Sequence, residues 1–138
     1  MKKILIFMFL LTQVVFAKKA SWYGKGFEGK QTASGYIYNS AEYTCASNVY
    51  KFGTVLKVTN RENGRSVLVV VTDTGSFSKK YHRDIDLSKS AFKKIAEKHQ
   101  LGEGLLNVDI KVYNEKHVFK YKQGKPKFTD KVYKEFLK

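Results

Sequence analysis

Ser66-Val67-Leu68-Val69-Val70-Val71-Thr72-Asp73 is the stretch that decides the fold class. Five apolar residues in a row, four of them valine, leave no room for an exposed face. Bounded by polar residues and rich in β-branched side chains, the run predicts a strand buried on both faces. It ends in a carboxylate, Asp73. A short polar loop, Thr74-Gly75-Ser76-Phe77-Ser78, follows, and then Asp84-Ile85-Asp86-Leu87-Ser88 opens into a helix. An acid at the mouth of such a strand is held at the edge of a core. Burial there raises a carboxyl pKa, as a general acid working near neutral pH requires. The same position suits a residue that merely caps a turn, because Asp is common in turns.

Outward from this strand the chain reads as mostly β from residue 20 to 113. Val55 to Asn60 runs into Arg61-Glu62-Asn63-Gly64-Arg65 and then into the valine run. Two β-rich stretches around Asn-Gly predict a hairpin, since both residues tolerate positive φ. Leu106, Val108, Ile110 and Val112 alternate with polar neighbours, the pattern of a half-buried strand. One helix is expected after Ser88, a good N-cap. Ala91, Phe92, Ile95 and Ala96 form its apolar face, Gly102 suits its stop, and Lys89, Lys93, Lys94 and Lys98 form a solvated face. Short strands, Gly-rich turns and one or two helices indicate a small closed β-barrel. Residues 114–138 read as a basic C-terminal appendage, with Phe119 and Tyr121 on a strand and Thr129 capping a helix.

The N-terminus is expected to be an export signal. Lys2 and Lys3 precede an apolar stretch from Ile4 to Phe16, with cleavage after Ala17. The stretch is short for a membrane span, which needs about 20 apolar residues. Cleavage removes two lysines and no acid, so the formal charge of +14 becomes +12 in the mature chain. The expectation is a soluble, exported, periplasmic monomer of one domain, residues 18–113, without a lipidation cysteine. Such a charge suits an anionic polymer or, with lysines spread along the chain, a solvated surface without a specific partner, and export argues against nucleic acid. The only cysteine, Cys45, lies in Tyr43-Thr44-Cys45-Ala46-Ser47 and is read as a small buried hydrophobe. His82, His99 and His117 lack metal-ligand spacing, so no metal or other cofactor is expected.

Motif order adds a resemblance. Ala20-Ser21-Trp22-Tyr23-Gly24, Thr32-Ala33-Ser34-Gly35, Phe52-Gly53-Thr54, Asn63-Gly64-Arg65, Asp73-x-Gly75-x-Phe77 and Asp84-Ile85-Asp86-Leu87-Ser88 follow one another as they do in the rare lipoprotein A family. The resemblance covers residues 20–113. It implies a six-stranded double-psi β-barrel and a lytic transglycosylase that cleaves peptidoglycan glycan strands. In that reaction the C6 hydroxyl of muramic acid attacks its own anomeric carbon and leaves a 1,6-anhydro end. The nucleophile is intramolecular and so has a high effective concentration. One carboxyl group can then serve as acid and base, and Asp73 matches the family's acid.

The chain departs from the family at three points. Tyr36 stands where active members carry Glu, Ser47 where they carry His, and the Arg and Pro of the acid loop are Thr74 and Ser76. Asp73 is therefore the expected catalytic residue. Trp22, Tyr36, Ser47, His82 and Arg83 are the expected substrate contacts: Trp22 by stacking on sugar, Tyr36 and Ser47 by hydrogen bonding, His82 and Arg83 beside the acid loop. Two functional readings follow. One is an exported lytic transglycosylase; the other is a barrel that binds glycan or cell wall without cleaving it.

Overall fold

The computed structural model describes residues 18–75 and 83–114. The expected export signal, residues 76–82 of the acid loop and all of the 114–138 appendage but Asn114 lie outside the described residues. Six strands, β1 (Lys18–Trp22), β2 (Thr44–Ala46), β3 (Val55–Asn60), β4 (Ser66–Asp73), β5 (Ile85–Leu87) and β6 (Leu106–Asn114), close into a barrel. Their order is β1-β5-β2-β4-β3-β6, with β6 returning to β1. Two of the contacts are parallel, β1 with β5 and β2 with β4, and the rest are antiparallel. Parallel neighbours cannot be joined by a tight turn, so the chain between them must cross the barrel. The expected six-stranded barrel is thus present, and it carries two helices.

Period-two alternation builds the core. Ala20, Cys45, Leu56, Val58, Val67, Val69, Val71, Ile85, Leu87, Leu106 and Val108 form one buried cluster, and Ala91, Phe92 and Ile95 of helix α1 (Lys89–Ile95) complete it. Each fully buried Val, Leu, Ile or Phe among them contributes roughly 1.5–3 kcal/mol. The valine run meets its expectation over its second half: Val70 and Thr72, on the opposite face, are also buried, while Leu68 is half-buried. Cys45 is a free, fully buried thiol whose pKa is raised by burial. The Asn63-Gly64 hairpin forms between β3 and β4, with Gly64 at φ 74°, where a side chain would be strained. In β6 the alternation fades beyond Ile110, and Val112 is exposed; there the β3 pairing skips a residue between Val55 and Leu56.

The helical region differs from the single helix expected. Ser88 does cap α1, accepting from the Ala91 N–H at 3.4 Å, but α1 ends at Ile95 and α2 (Lys98–Glu103) follows. Two side chains from the hairpin end α1. Asn60 and Asn63 both donate to the Ile95 carbonyl, at 2.7 and 2.9 Å. Ala96 is extended, and the Gln100 side chain accepts from the Glu97 N–H at 2.8 Å to start α2. The stop is Gly104, not Gly102, because Gly104 is the left-handed cap at φ 69°.

Asn60 is fully buried and also donates to Gln100 Oε1 at 2.8 Å, so its loss removes one of the two donors to the Ile95 carbonyl, leaving Asn63, and one of the two to Gln100 Oε1, leaving the Glu97 N–H. Asn60→Ala is expected to destabilise the fold by about 1–3 kcal/mol through the two lost hydrogen bonds, read as a lower urea midpoint. An unchanged midpoint would mean that the hairpin does not hold the helix break.

Candidate active site

β2 is three residues long, and its last residue pairs with a carboxylate on either side. Ala46 opposes Asp73 of β4 and Asp86 of β5. One residue earlier, Cys45 opposes Val71 and Leu87, and all three lie in the core. Successive side chains point to opposite faces, so Asp73, Ala46 and Asp86 face away from the core. Ser21 of β1 extends the row beyond Asp86. The register skips Thr72: Cys45 opposes Val71, then Ala46 opposes Asp73. This β-bulge re-aims the end of β4. With unbroken pairing Ala46 would meet Thr72 and the carboxylate would leave the row. Two strand spacings put the Asp73 and Asp86 Cα atoms about 10 Å apart, and the small Ala46 side chain leaves the floor between them low.

The Thr32-Ala33-Ser34-Gly35 loop holds the bulge. The Ser34 N–H donates to the Thr72 carbonyl at 3.2 Å, and the Ala33 N–H donates to Asp73 Oδ1 at 2.9 Å. The Thr74 N–H donates to the same oxygen at 2.9 Å, and the Tyr23 hydroxyl donates to Oδ2 at 2.8 Å. Both oxygens of Asp73 are therefore aimed by donors from three segments. Burial, and then the hydrogen bond to Asp73, pushes the Tyr23 phenol well up, so Tyr23 stays a neutral donor. On the next turn, Asn48 Nδ2 donates to the Gly75 carbonyl at 2.7 Å and Oδ1 accepts from the Gly75 N–H at 3.0 Å, clamping the loop that leaves Asp73.

Asp86 is tuned differently. Burial pushes its carboxyl up to about 6; the Ser21 hydroxyl bond at 3.0 Å and the Arg83 guanidinium oppose the shift, and the nearby Asp73 adds to it. Asp86, a carboxyl that the sequence reading does not single out, is thus one raised by burial. Both carboxylates line one open cleft of about 330 Å³, together with Trp22, Tyr23, Phe27 and Arg83. Two carboxyl groups whose surroundings differ can divide acid and base roles.

The other expected residues divide between the cleft and its supports. Trp22 lines the cleft, with its ring stacked on Phe92 at 5.9 Å. Arg83 lines it too, and its Nη1 donates to the Ser21 hydroxyl at 3.5 Å. Tyr36 and Ser47 are buried and are not among the cleft's lining. The Tyr36 carbonyl accepts from the Thr32 N–H and hydroxyl, both at 2.7 Å, which shapes the loop that holds the bulge. The Ser47 N–H donates to the Asp73 carbonyl at 2.9 Å, and its hydroxyl accepts from the Val49 and Tyr50 N–H groups. His82 lies outside the described residues. Two other carboxylates near in sequence are engaged elsewhere: Asp84 accepts from the Lys19 N–H at 2.8 Å, and Glu42 accepts from Asn39 at 3.3 Å.

Sequence reasoning missed Asp86, the bond from Tyr23 to Asp73, and Phe27, whose exposed ring meets Tyr23 edge-on at 5.4 Å. A partial signal was present. Asp84-Ile85-Asp86-Leu87 alternates, so with Ile85 and Leu87 inward Asp86 must face out. Nothing local says that Ala46 and Asp73 face it.

Comparison with known proteins bears on this geometry. Residues 15–110 match the family model described as lytic transglycolase, a double-psi β-barrel domain. A probable endolytic peptidoglycan transglycosylase RlpA from Aquifex aeolicus is 42% identical over 93 residues, covering 67% of this chain and 39% of that protein. The endolytic peptidoglycan transglycosylase RlpA of Campylobacter jejuni is 49% identical over 76 residues, covering 55% of this chain and 27% of that protein. The chain thus spans less than half the length of these curated relatives. Among solved structures, an expansin from Clavibacter michiganensis superposes with a TM-score of 0.54 at 20% identity, covering 72% of this chain and 50% of that one. At that identity the likeness is one of fold.

The raised pKa of Asp86 has a cost in stability. The folded state holds this proton more tightly than the unfolded chain does, so ionisation destabilises the fold as pH rises from about 4 to about 6. Asp86→Asn is expected to be more stable than the parent at pH 7, by on the order of 2 kcal/mol, with the gap closing below about pH 4. Urea midpoints at the two pH values measure this. Equal midpoints at pH 7 would contradict burial as the cause of the shift.

Proposed function

The chain belongs to the lytic transglycolase family, and from that premise we propose that it cleaves peptidoglycan glycan strands by intramolecular transglycosylation. The observation that carries this reading is the pair of carboxylates on one strand row, Asp73 and Asp86, flanking Ala46 in an open cleft. Asp86, raised to about 6, keeps a substantial protonated fraction in mildly acidic to near-neutral solution and donates its proton to the glycosidic oxygen. The C1–O4 bond breaks, and O4 takes that proton. The muramoyl C6 hydroxyl attacks C1, the O6–C1 bond forms, and the hydroxyl proton passes to Asp73, whose oxygens Tyr23, Ala33 and Thr74 aim. No water is consumed, and the products are a 1,6-anhydro end and a free 4-hydroxyl.

Trp22, Phe27 and Arg83 bind the strand, the aromatics by stacking on sugar rings. His82, next to Arg83 in sequence, is a further proposed contact. Tyr36 and Ser47 act through the loop and the strand end that hold Asp73. This departs from a direct substrate role and follows from their burial. Residues 1–17 direct export, and the domain works as a monomer in the periplasm. Among the described residues no helix is long and apolar enough to cross a membrane.

Purified protein incubated with sacculi is expected to release 1,6-anhydro muropeptides, detected by mass spectrometry. Asp73→Asn and Asp86→Asn should each lose about 10²–10⁴-fold in rate. Activity should fall as pH rises through about 6, as Asp86 loses its proton. Tyr23→Phe, which keeps the ring and removes only the donor to Asp73, should lose roughly tenfold. Retention on sacculi without product release would favour the binding-only barrel, and undiminished rates in both aspartate variants would overturn the assignment.

A further inference from the structure

A second cavity, of about 240 Å³, lies against the acid cleft, and the two share Trp22, Tyr23 and Gly24 as a common wall. Its far side has a different chemistry. Lys25 and Lys89 line it, both exposed, and neither takes part in an ion pair among the described residues. Lys89 follows the Ser88 cap directly, and from the solvated start of α1 it also borders this pocket. Tyr38 forms the floor. Its ring packs on Tyr23 at 4.5 Å, and burial raises its phenol, so it stays neutral and able to donate. One acid is present, Glu28, with Oε2 engaged by the Ser40 N–H at 3.0 Å. Two cations, one neutral donor and one engaged acid make a pocket with a net call for negative charge.

We infer that this pocket is a glycan subsite that receives a carboxylate carried by the strand bound in the acid cleft. The inference rests on the proposed action on peptidoglycan. A strand crossing the Trp22–Tyr23 wall places the substituents of an adjacent sugar between Lys25 and Lys89. Muramoyl residues carry carboxylates in two ways: on the lactyl ether when no peptide is attached, and on the peptide when one is. Two ammonium groups and a hydroxyl donor suit either form. Exposed lysines act as adaptable point charges rather than a rigid fork, so the subsite selects for charge more than for shape.

The test is binding by calorimetry with soluble glycan oligomers of three kinds: peptide-free, peptide-bearing, and peptide-free with the carboxyl groups reduced to alcohols. Lys25→Gln/Lys89→Gln is expected to weaken binding of carboxylate-bearing glycan about tenfold and to leave the reduced glycan unchanged. Lys25→Glu/Lys89→Glu should weaken the former further, and unaltered binding of the reduced glycan reports that the fold is intact. An effect with the peptide-free glycan assigns the lactyl carboxylate, and an effect only with the peptide-bearing glycan assigns the peptide. Equal losses on charged and reduced glycan, no loss on either, or no binding by the parent protein would overturn the subsite. Product release is scored separately. Lysine-dependent binding without 1,6-anhydro products keeps the subsite and removes the catalytic reading; products without lysine dependence do the reverse.

Discussion

Thr72 is the residue that β2 does not match, and the geometry of the candidate site follows from that mismatch. A parallel ladder between β2 and β4 would alternate Val71, Thr72 and Asp73 across its two faces. The bulge adds one residue and brings Asp73 opposite Ala46, where Asp86 already stands on the other side. A bulge leaves backbone groups without ladder partners, and here the Thr32–Gly35 loop supplies one: the Ser34 N–H takes the Thr72 carbonyl while the Ala33 N–H takes Asp73. Thr32 and Ser34 are buried and bonded to each other at 3.1 Å, so the loop is itself rigid. Its small hydroxyl and glycine residues have a mechanical role. They fix one irregularity in the barrel, and that irregularity aims a carboxylate.

Around this row the two acids are placed in unlike surroundings. Donors from three segments surround Asp73, whereas Asp86 is held by one hydroxyl and faced by one guanidinium, with burial the dominant influence. A carboxyl pushed up by burial weakens the fold at neutral pH. Ser21 and Arg83 offset part of that penalty without removing it. Functional sites are where such penalties persist, and the barrel core of valine, leucine and isoleucine gives the stability against which it is set.

Tyr23 links the acids to the rest of the groove. It donates to Asp73, packs on Tyr38, meets Phe27 edge-on, and with Trp22 separates the acid cleft from the lysine-lined pocket. The wall is stiff because Trp22 stacks on Phe92, whose own position is set by α1. Helix, wall and acid row therefore share one packing unit, which keeps two pockets of different charge in a constant relation.

What the sequence by itself determined is the set of features governed by local physics. The unbroken valine run specifies a buried strand, Asn63-Gly64 a hairpin, Ser88 a helix start, and Asp73 an acid at a strand mouth. Each depends on residues within a few positions of one another. Tertiary structure decided what depends on distant partners. The single helix expected to reach Gly102 is broken at Ala96 because Asn60 and Asn63, more than thirty residues earlier, take the Ile95 carbonyl. Tyr36 and Ser47 are buried, the Ser47 hydroxyl on backbone N–H groups, while exposed Lys89 also lines a pocket. Asp86 stands across from Asp73 only because β5 and β4 flank β2 and both register their aspartate on Ala46, an arrangement that no local pattern encodes. Alternation told which way Asp86 faces; strand pairing, which joins residues far apart in the chain, told what it faces.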